Sequence, residues 1–472
     1  MKKLNKRSLL FVTIVLFIIS ILLYLFSPDT YSLAYCNLLF IIYIASSILI
    51  IRHSISGKNY FNFHLLFLIS FFFVNFVYPV SIYPISPYYF PVYRFEFDPN
   101  FITKATALAL LASSSYNIGV ALQFGRKEKS KASPNTNFLT LQYLLIPLLY
   151  ILFFFLFLFG GTQLLKFQFG STFHIPPGLL LFFQVSLGLS LVIAFYAKSY
   201  SGSILDFLKN YNKAILLILL LYCFTFLATG DRGPLIQIVL IAFVSFTMFV
   251  RPMKLRNFII IVLSGMLFLT FISYARTETN QSATETGVTI SKGMQYMKLN
   301  SFYDIGMDLI VNNRNLYTGY EYVEKHGISY GKSMYHQLFS PFPKLPSLFT
   351  QLVFNSDPVD LSTARILTKE YDAHYGLGTN MVIDLYMNFG VLGVIIFMFV
   401  LGFIASKFQR EAYYSNNFNY IIAYVFLVAL AIYMPRSTIF DPLRPIIWAI
   451  LLYQFLKVLR LLLLQLSLKE RK

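Results

Sequence analysis

Arginines are the residues of this chain whose chemistry best fits recognition of phosphate. Six of them flank or lie within the polar segments: Arg232, Arg276, Arg314, Arg365, Arg436 and Arg444. A guanidinium group stays charged at any ordinary pH, and its planar fork can hold two phosphate oxygens at once. We therefore predict that Arg232, Arg276, Arg314 and Arg365 bind the charged part of a substrate.

The same arginines could instead anchor the chain at a membrane interface or form ion pairs. Carboxylates close in sequence offer such partners: Asp231 for Arg232, Asp360 or Glu370 for Arg365, and Asp441 for Arg444. The sequence alone leaves both interpretations open.

A second group of residues could move a proton. The polar segment between about 275 and 380 holds three of the six histidines, His326, His336 and His374, and about half of the acidic residues. Histidine titrates near neutral pH and suits a general base. We predict His374, His326 and Asp372 as the catalytic candidates. A lone loop histidine is more often simply solvated or hydrogen-bonded, and Asp304, Asp308, Glu321 and Glu370 compete for the same role.

A tyrosine-rich run, 315–322, lies in the same segment. Tyr320 and Tyr322 could stack on sugar rings, so we predict them as glycan-binding residues. Tyrosine is equally common as an anchor at membrane interfaces.

Motifs for metal or nucleotide chemistry are missing from the sequence. There is no Cys-x-x-Cys, no Asp-x-Asp, no His/carboxylate cluster and no Gly-rich phosphate loop with a lysine. These absences argue against an ATPase and against a metal-dependent nucleotide-sugar transferase. We predict neither a metal nor a cofactor.

The elements that position these residues are membrane helices. The chain has 472 residues, of which 57% are hydrophobic and only 12% charged. A membrane span needs about 20 apolar residues, and by that rule we count about twelve spans. They lie near 8–26, 31–51, 62–82, 102–122, 138–160, 177–197, 213–229, 234–250, 257–275, 380–404, 418–435 and 443–464. The predicted fold is an all-α, polytopic integral membrane protein.

The distribution of Lys and Arg predicts the orientation. The net charge is +18, but the cations gather at the ends of alternate spans and form no single patch, which disfavours nucleic-acid binding. This pattern places both termini in the cytoplasm.

Residues 1–275 then hold spans one to nine, 276–379 form a large external loop, and 380–472 hold the last three spans and a cytoplasmic tail. Within the loop we predict helices near 291–312 and 362–372 and a proline-rich strap over 340–346.

Three features together resemble the Wzy-type O-antigen polymerases of bacterial membranes. One is the turn in Ala228–Leu235, similar to the Thr-Gly-x-Arg-Gly turn of that family. The others are the large external loop and the signature formed by 378–380 and 388–393, where the chain re-enters the membrane. The resemblance covers the architecture throughout and the sequence mainly over 228–393.

The resemblance implies a function and partners. The expected reaction is polymerisation of polyprenyl-pyrophosphate-linked oligosaccharide repeat units at the outer face of the bacterial cytoplasmic membrane. Arginines would stabilise the leaving pyrophosphate, and a base would activate a hydroxyl of a second unit. The expected enzyme is a metal-independent glycosyltransferase, in contact with membrane lipid and with a chain-length regulator protein as a further partner.

Two alternatives belong to other classes. The related O-antigen ligases carry a His-x10-Gly motif where this chain has Thr379 and Gly390, and this departure disfavours ligase activity. It also leaves His374 as the best substitute for the missing histidine. A lipid-linked oligosaccharide flippase would need charges inside the bundle and often shows two similar halves, neither of which the sequence has.

Overall fold

The computed structural model describes residues 5–55, 59–90, 97–124, 138–165, 175–197, 209, 211–229, 232–277, 302–373, 376–415 and 417–469. Over these residues the protein forms 17 α-helices and no strand. The predicted all-α fold is therefore confirmed.

Twelve of the helices coincide with the twelve predicted spans. They are α1 (Lys6–Leu25), α2 (Leu33–Ser54), α3 (Phe63–Asn75), α4 (Phe101–Gln123), α5 (Phe138–Leu165), α6 (Pro177–Ala197), α7 (Lys213–Thr229), α8 (Arg232–Phe249), α9 (Leu255–Thr277), α15 (Met381–Tyr414), α16 (Phe418–Leu430) and α17 (Leu443–Lys469). Eight helices of the described part are long and apolar enough to cross a membrane, whereas α3, α7, α9 and α16 have shorter apolar stretches. The protein is polytopic, and the count of twelve crossings stays a prediction.

The polar segment folds into short helices: α10 (Met307–Ile310), α11 (Asn313–His326), α12 (Lys332–Leu338), α13 (Leu345–Phe354) and α14 (Thr363–Glu370). Helix α14 matches the helix predicted near 362–372. Of the helix predicted near 291–312, residues 291–301 lie outside the described part, and the remainder forms a 3₁₀ turn followed by α10. The predicted strap is shorter than expected because α13 begins at Leu345. Pro346, which lacks a backbone N–H, fits in the first turn of α13 because the N–H groups of a first turn have no acceptor within the helix.

Helix α15 carries the signature by which the chain re-enters the membrane. Asn380 caps it, and its side-chain oxygen accepts from the N–H of Val382 at 2.9 Å. The helix is broken at Gly390, where φ is 64° and ψ is −160°. Only glycine adopts that conformation readily. The signature therefore encodes a cap and a break that set the direction of the following span.

The membrane part is organised around the pair formed by α4 and α15. A Cβ atom on Gly119 would lie 2.1 Å from the backbone oxygen of Phe399, and one on Gly402 would lie 2.1 Å from that of Tyr116. The two backbones can approach so closely only because neither glycine has a side chain. This contact fixes α15 against the core of the bundle.

Candidate functional site

An apolar cavity of about 590 Å³ lies among α3, α7, α8 and α9. Its wall is built mainly from aliphatic and aromatic side chains of these helices, such as Phe73, Leu227, Val239 and Ile261. The segments at 305–309 and 432–436 complete the wall and add the polar residues Asp308, Tyr433 and Arg436. The cavity is therefore apolar along the helices and polar where these two segments meet.

Two arginines converge on Asp308 at this polar part. The Arg232 guanidinium donates to the Asp308 carboxylate and forms an ion pair with it. Nη1 of Arg436 donates to the backbone oxygen of Asp308 at 2.8 Å. The Arg232 side chain is only 13% exposed, so its charge acts where solvent screens it weakly.

The described partner of Arg232, Asp308, is one that the sequence did not suggest. Asp231 lies outside the described residues, and Asp308 is 76 positions away along the chain. Sequence neighbours alone could not identify it, because the pair forms only when α8 and α10 pack beside each other. Such an arrangement can accept an amphiphile with an anionic headgroup.

The remaining predicted arginines lie in different surroundings. Arg365 of α14 is 51% exposed, and its Nε lies 3.8 Å from Asp360, so the sequence-based pairing with Asp360 is found. Arg314 of α11 is buried. Arg276 lies in α9, but its side chain is outside the described part. The sequence suggested Asp441 as the partner of Arg444, but the structure shows another contact. The Arg444 guanidinium stacks over the ring of Trp448, 4.5 Å from its centroid.

The candidates for proton transfer gather around the carboxyl ends of α11 and α14. Nε2 of His326 lies 3.8 Å from the Glu370 carboxylate, and both side chains are partly exposed. The His326 ring stacks on Tyr322 at 4.4 Å. Asp372 follows α14 with a φ of 43° and is exposed. His374 lies outside the described residues. Among the described candidates, His326 has both an acidic neighbour, Glu370, and a stacked aromatic ring, that of Tyr322.

Tyr320 is placed differently from Tyr322. It is 1% exposed, its hydroxyl lies 3.0 Å from that of Tyr24, and its ring stacks on Tyr386 with centroids 4.9 Å apart. These contacts tie α11 to α1 and α15. Tyr322 is half-buried and remains the better placed of the two to meet a sugar ring.

Electrostatics hold α11 to the segment before α4. Burial raises the pKa of Glu321, but hydrogen bonds from Lys325 and from the backbone of Asp98 outweigh it, and the net pKa is lowered. The Lys325 ammonium donates to Glu321 at 2.7 Å, and the Asp98 N–H donates to it at 3.2 Å. A charged Glu321 therefore links α11 to the turn at 98–100.

Sequence reasoning missed a buried asparagine cluster beneath α11. Nδ2 of Asn380 donates to Asn75 at 2.9 Å, Asn313 donates to the carbonyl of Val74, and Asn315 donates to the carbonyl of Leu377 at 2.8 Å. The run 312–315, Asn-Asn-Arg-Asn, was the available signal. Buried amides make hydrogen bonds in defined directions, so this cluster fixes α11 relative to α3 and α15.

A second missed network surrounds Asp384, in the first turn of α15. Asp384 is fully buried, and its Oδ1 accepts from Thr363 Oγ1 at 2.5 Å and from Ser333 Oγ at 3.4 Å. Asn388, one turn later, donates to Ser333 Oγ at 2.6 Å. Polar side chains of α12, α14 and α15 thus meet at one buried point.

These features define a class: a multi-pass helical membrane protein with an apolar cavity that ends at Asp308 and Arg436. The short helices α10–α14 of its polar segment are called the cap below. In the described part, no group of three or more His, Cys, Asp or Glu side chains could hold a metal ion. A family model described as O-antigen polysaccharide polymerase Wzy matches residues 8–469, nearly the whole chain. The chain belongs to that family and polymerises lipid-linked oligosaccharide repeat units in a membrane. Comparisons with curated proteins and with solved structures gave no match.

Proposed function

We propose that the donor is a polyprenyl-pyrophosphate-linked glycan, bound with its lipid in the apolar cavity and its pyrophosphate at Arg232 and Arg436. The observation that carries this proposal is the convergence of both arginines on Asp308, which lines the cavity. An apolar wall favours the prenyl chain, and a guanidinium pair favours the pyrophosphate. The predicted role of Arg232 is retained, and Arg436 joins it.

The ion pair with Asp308 sets the resting state of Arg232. A pyrophosphate carries more negative charge than one carboxylate, so it can replace Asp308 as the partner of the guanidinium. Until then Asp308 keeps Arg232 at the cavity, because an unpaired guanidinium with 13% exposure would be costly. Nη1 of Arg436 donates to a backbone carbonyl and its guanidinium lies over the Tyr433 ring, while its other N–H groups can donate to the ligand.

We propose the following transfer step. A hydroxyl of the second lipid-linked repeat unit attacks the anomeric carbon of the donor sugar. The bond between that carbon and the pyrophosphate oxygen breaks, and the lipid pyrophosphate leaves with its charge stabilised by the arginines. The hydroxyl proton passes to a base. Among the described candidates we favour His326, which Glu370 would orient, while Asp372 and His374 stay alternatives.

We further propose that no metal is needed, because the arginines supply the positive charge that a divalent ion would otherwise provide. The energy for transfer is already present in the pyrophosphate linkage, so no nucleotide is consumed. The distribution of Lys and Arg supports a bacterial cytoplasmic membrane location with the cap outside and both termini inside. The chain-length regulator partner rests on the resemblance and stays a prediction.

The test replaces Arg232 and Arg436 singly by Ala and by Lys. Losing a charge-assisted contact costs about 1.5–3 kcal/mol, so each Ala variant should elongate about one to two decades more slowly. Lys should recover part of the rate, since it restores the charge but not the fork. Arg256→Ala is the matched control. Arg256 is exposed in the first turn of α9, and its Ala variant should elongate at the wild-type rate.

The polysaccharide product and the amount of protein in the membrane distinguish a loss of polymerisation from other causes. A polymerase defect leaves a single repeat unit on the anchor, whereas a flippase defect leaves none. If both Ala variants reach normal levels in the membrane and still make full-length polysaccharide, the arginines do not bind the donor.

A further inference from the structure

The hairpin formed by α12, the turn 339–344 and α13 presents an apolar outer row. Leu352 is 84% exposed, the largest value in this row. The other exposed members are Leu338, Phe342, Leu345, Leu348 and Val353. Exposed apolar groups gathered on one face mark an interaction surface.

The inner side of the hairpin is already occupied by its own aromatic residues. The ring of Phe349 lies 4.9 Å from that of Phe339, 5.6 Å from that of Tyr335 and 6.2 Å from that of Phe354. The hairpin therefore has an internal core, and its outer row is a separate face. Between 338 and 356 the sequence has one charged residue, Lys344, at the turn.

The hairpin is attached at the end of a membrane helix. Nε1 of Trp448 donates to the backbone oxygen of Pro341 at 2.7 Å. Trp448 lies in the second turn of α17, which is a candidate span over Leu443–Leu466. Trp and Arg side chains at the end of a span lie at the headgroup level, and here Arg444 stacks on Trp448. The turn of the hairpin is thus held at the surface of the bilayer.

We propose that the α12–α13 hairpin rests in the adjacent bilayer leaflet, with its outer row among the acyl chains and Lys344 at the lipid phosphates. The binding partner is the lipid surface itself. A nearly uncharged apolar face that continues from the headgroup end of α17 fits that medium, as surface-lying amphipathic helices do. The hairpin would hold the cap at a fixed height over the membrane. This inference depends on the membrane position of α17 and not on the donor site.

Spin-label accessibility tests the proposal on the full-length protein. In a Cys36→Ser, Cys223→Ser background, a nitroxide is placed at Leu352→Cys, and the control label at Glu324→Cys, an exposed position of α11. The protein is reconstituted in phosphatidylethanolamine/phosphatidylglycerol vesicles. Collisions with oxygen, which concentrates in lipid, are compared with collisions with a water-soluble nickel chelate.

We expect oxygen collisions to dominate at position 352 and nickel collisions to dominate at position 324. A label at 352 that meets the nickel chelate as readily as the one at 324 would place the row in water and overturn the proposal. Low accessibility to both reagents would also overturn it, because it would show that protein and not lipid covers the row.

Discussion

Replacing Gly390 by Ala should loosen the connection between the cap and α15. Among the described residues, a Cβ atom at this position would have one neighbour within 4 Å, Cγ2 of Ile328 at 3.9 Å, which is an ordinary contact. The whole effect must therefore come from the backbone, with φ at 64° and ψ at −160°. Holding a non-glycine residue in this region costs about 1–3 kcal/mol.

The strain acts on two hydrogen bonds at the break. The Ser329 N–H donates to the carbonyl of Met387 at 2.7 Å, and the Gly331 N–H donates to that of Asn388 at 3.2 Å. If residue 390 relaxes towards helical angles, both carbonyls return to bonds within the helix, and the two N–H groups lose their acceptors. Lowering the opening free energy by 1–3 kcal/mol should speed amide exchange about 5- to 150-fold.

The assay is hydrogen–deuterium exchange with mass spectrometry on peptides that cover 326–334, together with a thermal unfolding curve in detergent. Gly376→Ala is the matched control, because a Cβ atom there meets no atom of the described residues within 4 Å and its φ lies outside the left-handed region. We expect faster exchange and a lower Tm for Gly390→Ala alone. Equal exchange in the two variants would refute the argument that the break holds the cap in place.

Four further predictions concern helix packing, pH, topology and metal dependence. Gly402→Ala should destabilise the protein by about 1–3 kcal/mol or more, since its Cβ would meet a backbone oxygen of α4 at 2.1 Å. Gly265→Ala, whose Cβ would meet no atom of the described residues within 4 Å, should be nearly neutral in thermal unfolding. Burial lowers the pKa of His336. The unfolded chain therefore takes up that proton first, and Tm should fall as pH drops from about 7 to 5.5, less steeply in His336→Gln. In a cysteine-free background, an impermeant thiol reagent applied to intact cells should label Lys332→Cys but not Lys469→Cys; labelling of the latter contradicts the topology. Excess chelator should leave elongation by the purified protein unchanged, and a strict need for added divalent ion would contradict metal independence.

The sequence by itself determined the features that depend on local composition and spacing. Long apolar runs in a chain of low charge can be satisfied only by helices in a membrane, so all twelve predicted spans coincide with helices. The signature at 378–393 marked the start of α15, because a cap and a glycine break are set by the residues at those positions. The membership in the polymerase family was also visible from these local features.

Only the tertiary structure decided which residues meet. The pairing of Arg232 with Asp308, the backbone contact of Arg436, and the network around Asp384 each join residues from different helices. Helical periodicity gives the face on which a residue lies, but not the neighbour that packs against that face. With spans that are apolar on all sides, the sequence contains little to indicate their arrangement, so the site became visible only once the helices were packed.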